Sequence, residues 1–234
     1  MINNDIYKGS PQQYVAVDCV IFGYEDYQLK LLLMPRPIEP SIGGWSLMGG
    51  FCGDHESLET AAIRVLKKNT GLSNIYLEQV QAFSDVQRDP GGRVISVVFY
   101  ALIPLYQQDI DKVQERGAHW FPVEQLPDLI FDHHDMVQMC LKKLQMRASY
   151  QLVGKELLPE QFTLTQLRKL YEAIFQRELD PGNFRKKVLS LNALERLNKK
   201  NTTESKKGAY LYKFKKEPDI QNNDRVLKIN FNLL

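Results

Sequence analysis

Eleven Lys and Arg residues fall between positions 181 and 216, opposed only by Glu195 and Glu204, for a local net charge of +9. Cationic side chains at that density neutralise phosphates, and the counterions released add to affinity for a polyanion. Asn183, Arg185, Lys186 and Lys187 lie in one short stretch, with Lys199, Lys200, Lys206 and Lys207 following. A solvated basic face or a protein-interaction surface would carry the same charge, so the elements that present it must decide. Earlier in the chain, Arg36 and Arg88 suit phosphate or hydroxyl groups, or serve as salt-bridge partners. Trp45 offers a flat face to a base or sugar ring, or fills the core. Phe131-Asp132-His133-His134 contains a histidine pair with no Cys or further His at ligand spacing, which argues against zinc and leaves Asp132 as a helix N-cap.

The whole chain has 234 residues and a formal charge of only +2. That sum hides its distribution. Residues 1–150 hold 13 Lys/Arg and 18 Asp/Glu, whereas residues 151–234 hold 17 and 10. A net of −5 is thus followed by a net of +7, which implies two domains with different partners, divided near residue 150. The apolar fraction of 44% and charged fraction of 25% fit a globular chain and exclude a disordered one. No apolar run is long enough for a membrane span, and the N-terminal residues lack the layout of a secretory signal. Cys19, Cys52 and Cys140 are odd in number and far apart, which points to reduced thiols and a cytoplasmic protein.

The elements that must position these residues follow from periodicity. Val15 to Phe22 and Lys30 to Met34 read as strands joined by a turn at Gly23-Tyr24-Glu25-Asp26. Leu58, Ala61, Ala62, Val65 and Leu66 give a helical face from Leu58 to Asn69, stopped by Gly71. Val94 to Ile103 is a long strand, and Val137, Cys140, Leu141 and Leu144 mark a helix from about His134 to Tyr150. A mixed sheet between helices is expected, an α/β (α+β) class fold. Beyond it, Leu164, Leu167, Leu170, Tyr171, Ile174 and Phe175 form an apolar stripe after a Thr cap at Thr163 or Thr165. Asp180-Pro181 then opens a second helix with Phe184, Val188 and Leu191 inward and Arg185, Lys186 and Lys187 outward. Lys199 to Lys207 reads as a basic loop. Ala209 to Lys215 alternates as a strand, with Leu194 to Leu197 as its partner. Two helices and a hairpin in this order make a winged helix-turn-helix.

Gly50, Glu56, Arg64, Leu66, Gly71 and Leu72, approached through Trp45-Ser46-Leu47-Met48-Gly49-Gly50, resemble the Nudix box. The resemblance implies a Nudix-like α/β/α sandwich. In that family, helix glutamates hold the divalent cations that polarise a pyrophosphate and activate water. Here those places hold Val65, Lys68 and Asn69. Lys68 puts a positive charge where the cation would sit, and Glu56 is left to pair with Arg64. A shifted site from Asp54, Glu56 and Glu59 is a minor alternative. The box therefore implies no catalytic residue, no metal and no cofactor, and a pocket retained as a sensor. Its border would comprise Arg36, Trp45, Ser46, Met48 and Gly50, together with Asp85, Arg88 and Asp89. Glu56 would be free to accept hydrogen bonds from a sugar.

A degenerate box followed by this C-terminal module resembles the Nudix-related transcriptional regulators. Phe162-Thr-Leu-Thr-Gln-Leu167, Leu170-Tyr-Glu-Ala-Ile174 and Leu179-Asp-Pro-Gly-Asn-Phe-Arg-Lys-Lys187 look like its winged-helix signature, and Arg88-Asp-Pro-Gly-Gly-Arg93 and Phe131-Asp-His133 like its Nudix signature. The resemblance implies a cytoplasmic, homodimeric repressor on a palindromic double-stranded DNA operator. Residues 1–150 would bind the effector and dimerise, and residues 151–234 would bind DNA. Some members sense ADP-ribose and one branch senses sugars; the expected effector here is L-arabinose or another sugar, with ADP-ribose second. Asn183, Arg185, Lys186 and Lys187 would reach DNA from the second helix, with Lys199, Lys200, Lys206 and Lys207 at the wing. Two rivals remain: a pyrophosphohydrolase acting on ADP-ribose or a sugar nucleotide, and a binding module with no role on DNA.

Overall fold

Tyr14–Glu25 forms β1, the twelve-residue strand on which the first half is assembled. The computed structural model describes residues 9–202 and 208–215. β1 turns through Asp26 and Tyr27 into β2 (Gln28–Pro35), both turn residues having positive φ (50° and 63°) as a two-residue hairpin requires. The turn was expected at Gly23 to Asp26, but the strand runs on, with Gly23 opposite Lys30 and Tyr24 opposite Leu29. Gly23 is there for close approach instead: a Cβ would lie 2.6 Å from Leu105 Cδ2 and 2.9 Å from the Trp120 ring.

There follow β3 (Trp45–Ser46), β4 (Met48–Phe51), α1 (Leu58–Thr70), β5 (Glu78–Phe83), β6 (Val94–Pro104), α2 (Ile110–Glu115), β7 (His119–Pro122) and α3 (His133–Tyr150). The sheet has the order β3-β2-β1-β6-β5, with β4 added to β1 and β7 to β2. β1 and β6 run parallel while the other strand pairs of this sheet are antiparallel, so the sheet is mixed as expected.

Strand alternation divides the core. Val17, Cys19 and Ile21 share one cluster with Ala61, Ala62, Val65 and Leu66 of α1. Val20, Phe22 and Tyr24 share the other with Met136, Val137, Cys140 and Leu144 of α3. Full burial of each such aliphatic side chain contributes about 1.5–3 kcal/mol, enough for this face to hold α3 in place. At the start of α1, the Ser57 hydroxyl accepts from the Thr60 N–H at 3.2 Å. At its end Gly71 adopts φ 77° and donates to the Lys67 carbonyl.

The C-terminal module consists of β8 (Phe162–Thr163), α4 (Leu164–Phe175), α5 (Pro181–Ser190), β9 (Leu194–Asn201) and β10 (Ala209–Phe214), with sheet order β8-β10-β9. Thr163 and Gln166 close a reciprocal capping box on α4. Asp180 caps α5 by accepting from the Asn183 N–H at 2.7 Å, and Pro181 occupies its first turn. Lys199 and Lys200, expected in a loop, lie within β9. Lys206 and Lys207 fall outside the described residues.

The cluster on the α3 side does not end with α3. It continues through Val153, Leu157 and Leu158 into Leu167, Leu170, Tyr171, Ile174, Phe184 and Val188. Polar bonds cross the same boundary. Gln145 Nε2 donates to the Ile174 carbonyl at 3.0 Å, and the Tyr171 hydroxyl accepts from the Val153 N–H at 2.9 Å. Among the described residues no helix is long and apolar enough to cross a membrane.

Candidate ligand pocket and nucleic-acid interface

β1 gives the first part of its edge to β4 and the last part to β2, pairing Ala16–Cys19 with Phe51–Met48 and Phe22–Glu25 with Leu31–Gln28. Where these partners part, a cavity of about 250 Å³ opens between the strands, the end of α1 and the start of α3. Of the residues expected at the pocket, Arg36, Ser46, Gly50, Arg88 and Asp89 line it.

Four others do not. The Trp45 ring is packed edge-on against Phe121 (4.8 Å) and His119 (5.7 Å), so its flat face serves the core. Met48 is opposite Cys19 and fully buried on the α1 face, because strand alternation turns it away from the cavity. Both Glu56 oxygens are taken by Arg64, and one also accepts from the Gly53 N–H at 2.7 Å. The arginine first, and the Gly53 amide second, draw the Glu56 carboxyl down to about 2. Asp85 sits in an outer cleft with Gln87 and Pro90, its carboxylate accepting from the Gln87 N–H at 2.8 Å.

Residues that sequence reasoning did not place form the floor. Asp18 is the one carboxylate in the apolar run of β1, and register turns it to the α3 side, where it is 6% exposed. It accepts from the buried Ser96 hydroxyl on β6 and lies 3.8 Å from His133 Nε2. His133 Nδ1 accepts the Leu47 N–H at 3.1 Å, so a neutral imidazole carries its proton on Nε2, the nitrogen nearer Asp18. Burial pushes the His133 pKa below its ordinary value, against the pull of Asp18 and Asp132. The histidine is therefore a neutral donor at pH 7.

Arg88 grips Asp132 with two bonds, Nε to Oδ2 at 2.8 Å and Nη2 to Oδ1 at 2.7 Å. Burial works against the Arg88 cation, but the Asp132 carboxylate more than offsets it and raises its pKa. Asp132 occupies the N-cap position of α3 but makes no side-chain cap bond, since both its oxygens face Arg88. The expected capping role is thus replaced by an ion pair. Arg36 crosses the Phe131 ring at 5.0 Å and donates to the Ile38 carbonyl at 3.1 Å. Lys68 and Asn69, from the last turn of α1, reach the same cavity, while Val65 is 3% exposed in the core. Among the described residues no group of three or more His, Cys, Asp or Glu is placed to hold a metal ion.

The basic module presents a second surface. Asn183, Arg185, Lys186 and Lys187 are exposed along α5, whose Phe184 and Val188 anchor it inward. Lys199 and Lys200 are exposed on β9. Arg196 was not singled out from sequence, yet its guanidinium stacks at 4.7 Å on Tyr210 of β10, with Lys200 Nζ at 4.9 Å from the same ring. A ring that attracts two cations holds both side chains close to the wing.

Known proteins share both parts. Residues 13–140 match the NUDIX domain, and residues 154–214 match the NrtR DNA-binding winged helix domain. The chain is 33% identical over 224 residues to the ADPR responsive transcriptional repressor NtrR of Acinetobacter baylyi, covering 93% of this chain and 88% of that protein. It is similar in structure to Shewanella oneidensis NrtR complexed with a 27mer DNA. There the TM-score is 0.74 at 32% identity, over 86% of this chain and 93% of that one. The NUDIX domain of the same Shewanella protein, complexed with ADP ribose, matches at 33% identity and a TM-score of 0.51, over 61% and 99% of the two chains. With a Nudix domain, a winged helix of the NrtR type and this full-length likeness, the chain belongs to the NrtR family of Nudix-related transcriptional regulators.

Proposed function

We propose that this chain is an ADP-ribose-responsive transcriptional repressor, with residues 1–150 as sensor and residues 151–234 as DNA reader. One observation carries the choice of effector. Arg36 and Lys68 both line the cavity, and neither has an acidic partner among the described residues. Two cations without counter-charge suit a diphosphate. A neutral sugar such as L-arabinose would instead be matched by acceptors, and the two cavity carboxylates are already engaged, Asp18 with the Ser96 hydroxyl and Asp89 with the Gly91 N–H. The effector order expected from sequence is therefore reversed, in keeping with the ADP-ribose response of the Acinetobacter relative and the ADP ribose complex of the Shewanella domain.

On DNA, the exposed cations of α5 would neutralise phosphates while its N-terminal residues reach base edges in the major groove. A homodimer on a palindromic operator would place two such helices one helical turn apart. Effector binding would then change operator affinity through coupling between the two sites. Hydrolysis has no support from the helix face that would carry it, which presents Val65, Lys68 and Asn69.

The test is a thermal-shift titration of the full chain with ADP-ribose and with L-arabinose, followed by DNA binding with and without the active ligand. ADP-ribose should raise the melting temperature by mass action and alter DNA affinity. Stabilisation by arabinose alone would falsify the assignment.

A further inference from the structure

The Nudix fold implies a divalent cation, and the residues of this chain do not fit one. Val65 occupies the first helix ligand position, where it is buried; a Cβ at Gly50 would lie 2.9 Å from its Cγ2. Glu56, the remaining box carboxylate, is held by Arg64 and the Gly53 N–H. Lys68 and Asn69 fill the other two positions and line the cavity.

The substitution does more than remove ligands. Lys68 brings a positive charge to the cavity from the end of α1, and Arg36 brings another from beyond the end of β2. A diphosphate carries two negative charges at neutral pH, and charge-assisted bonds from ammonium and guanidinium groups satisfy it without an ion between. Asn69 adds an amide donor beside Lys68. We propose that the cavity binds ADP-ribose without a divalent cation, the Lys68 ammonium standing in for the metal. The inference rests on the ADP-ribose reading above. It makes Mg²⁺ a competitor rather than a cofactor, because a diphosphate already bound to Mg²⁺ has less charge left to offer Lys68 and Arg36.

Lys68 also lies in the last helical turn, where a cation complements the helix dipole. Lys67 shares that turn but not the cavity, so it separates the two roles. The experiment is isothermal titration of the full chain with ADP-ribose, in EDTA and in excess Mg²⁺, for the native chain and for Lys68→Gln, Lys68→Glu and Lys67→Gln. Native affinity should be equal or tighter in EDTA. Lys68→Gln should weaken it on the order of tenfold, the loss of one charge-assisted bond, and Lys67→Gln should leave it unchanged. Lys68→Glu should bind poorly in EDTA and recover in part when Mg²⁺ is added. Binding that requires Mg²⁺ overturns the inference while leaving ADP-ribose as effector; so does a Lys68→Gln variant with native affinity. Absence of binding under both conditions overturns the effector reading and the inference with it.

Discussion

Arg88, on the loop after β5, holds Asp132, at the head of α3, through two parallel bonds of 2.7 and 2.8 Å. The arginine side chain is 3% exposed and the aspartate 18%. This pair fastens one wall of the cavity to the helix that closes the sheet. Asp132→Ala leaves the buried guanidinium without its counter-charge, which should destabilise the chain by about 2–4 kcal/mol. Urea unfolding measures it. A change below a few tenths of a kcal/mol would show that solvent already satisfies Arg88.

His133 gives a pH dependence with a definite sign. Its folded pKa is lowered, chiefly by burial, so below the ordinary histidine value the unfolded chain takes up a proton that the folded chain refuses. Stability is full above about pH 6.5, the unperturbed value, and falls as the pH drops below it. His133→Asn should flatten that part of the profile. Melting temperatures of both proteins across pH 5–8 decide the matter; parallel profiles would place the effect elsewhere.

Gly49 faces Asp18, and a Cβ added there would overlap Asp18 Oδ1. Gly49→Ala should therefore displace the carboxylate from Ser96 and disturb the cavity floor, at a cost of about 1–3 kcal/mol. Effector affinity should fall with it. The exposed Gly182, whose nearest neighbour to an added Cβ is Asp180 Oδ1 at 3.5 Å, is the control. Equal effects of Gly49→Ala and Gly182→Ala on affinity would sink this account of the floor.

Arg185 and Lys187 are exposed on α5 and should contact DNA phosphates. The Arg185→Ala/Lys187→Ala variant should bind operator DNA more weakly, and the slope of log K against log salt should shrink by about 2. Fluorescence anisotropy at several salt concentrations reads both quantities. Thermal stability should be unchanged, since neither side chain is in the core. An unaltered slope would assign α5 to a protein partner instead.

Much of this was legible in the amino-acid order, and the failures share a cause. The glycines, Glu56, Arg64 and the α1 face follow from helical spacing, and the Glu56–Arg64 pair formed as the charges implied. The capping signals at Thr163 and Asp180 were equally local. Trp45 and Met48 were assigned to the pocket because their neighbours belong there. Only the pairing of β4 with β1 turns Met48 inward, and only β7 brings His119 and Phe121 against Trp45. Asp18 has no local signal, and His133 stands out only as one of a histidine pair within a signature, for the same reason: they meet across the sheet, and no local pattern announces such a meeting. The basic run held more than its lysines, since Arg196 needs Tyr210 on the next strand to reveal its posture.

β1 is a single unbroken strand with the cavity at one end and the helix-turn-helix at the other. Ala16 and Asp18 line the pocket, while Tyr24 lies in the core shared with α4, and Tyr27, just past the strand, borders a surface cleft with Glu172 and Gln176 of the reader. From Asp18 to Tyr24 the strand spans roughly 20 Å at about 3.3 Å per residue. Held in the sheet by β2, β4 and β6, it would act as a lever. A tilt of only about 3° at the pocket moves its far end by roughly 1 Å over that length. In the homodimer proposed above, each protomer would contribute such a displacement to the separation of the two recognition helices. A pocket motion too small to notice would become a misfit between a protein ruler and the pitch of its DNA.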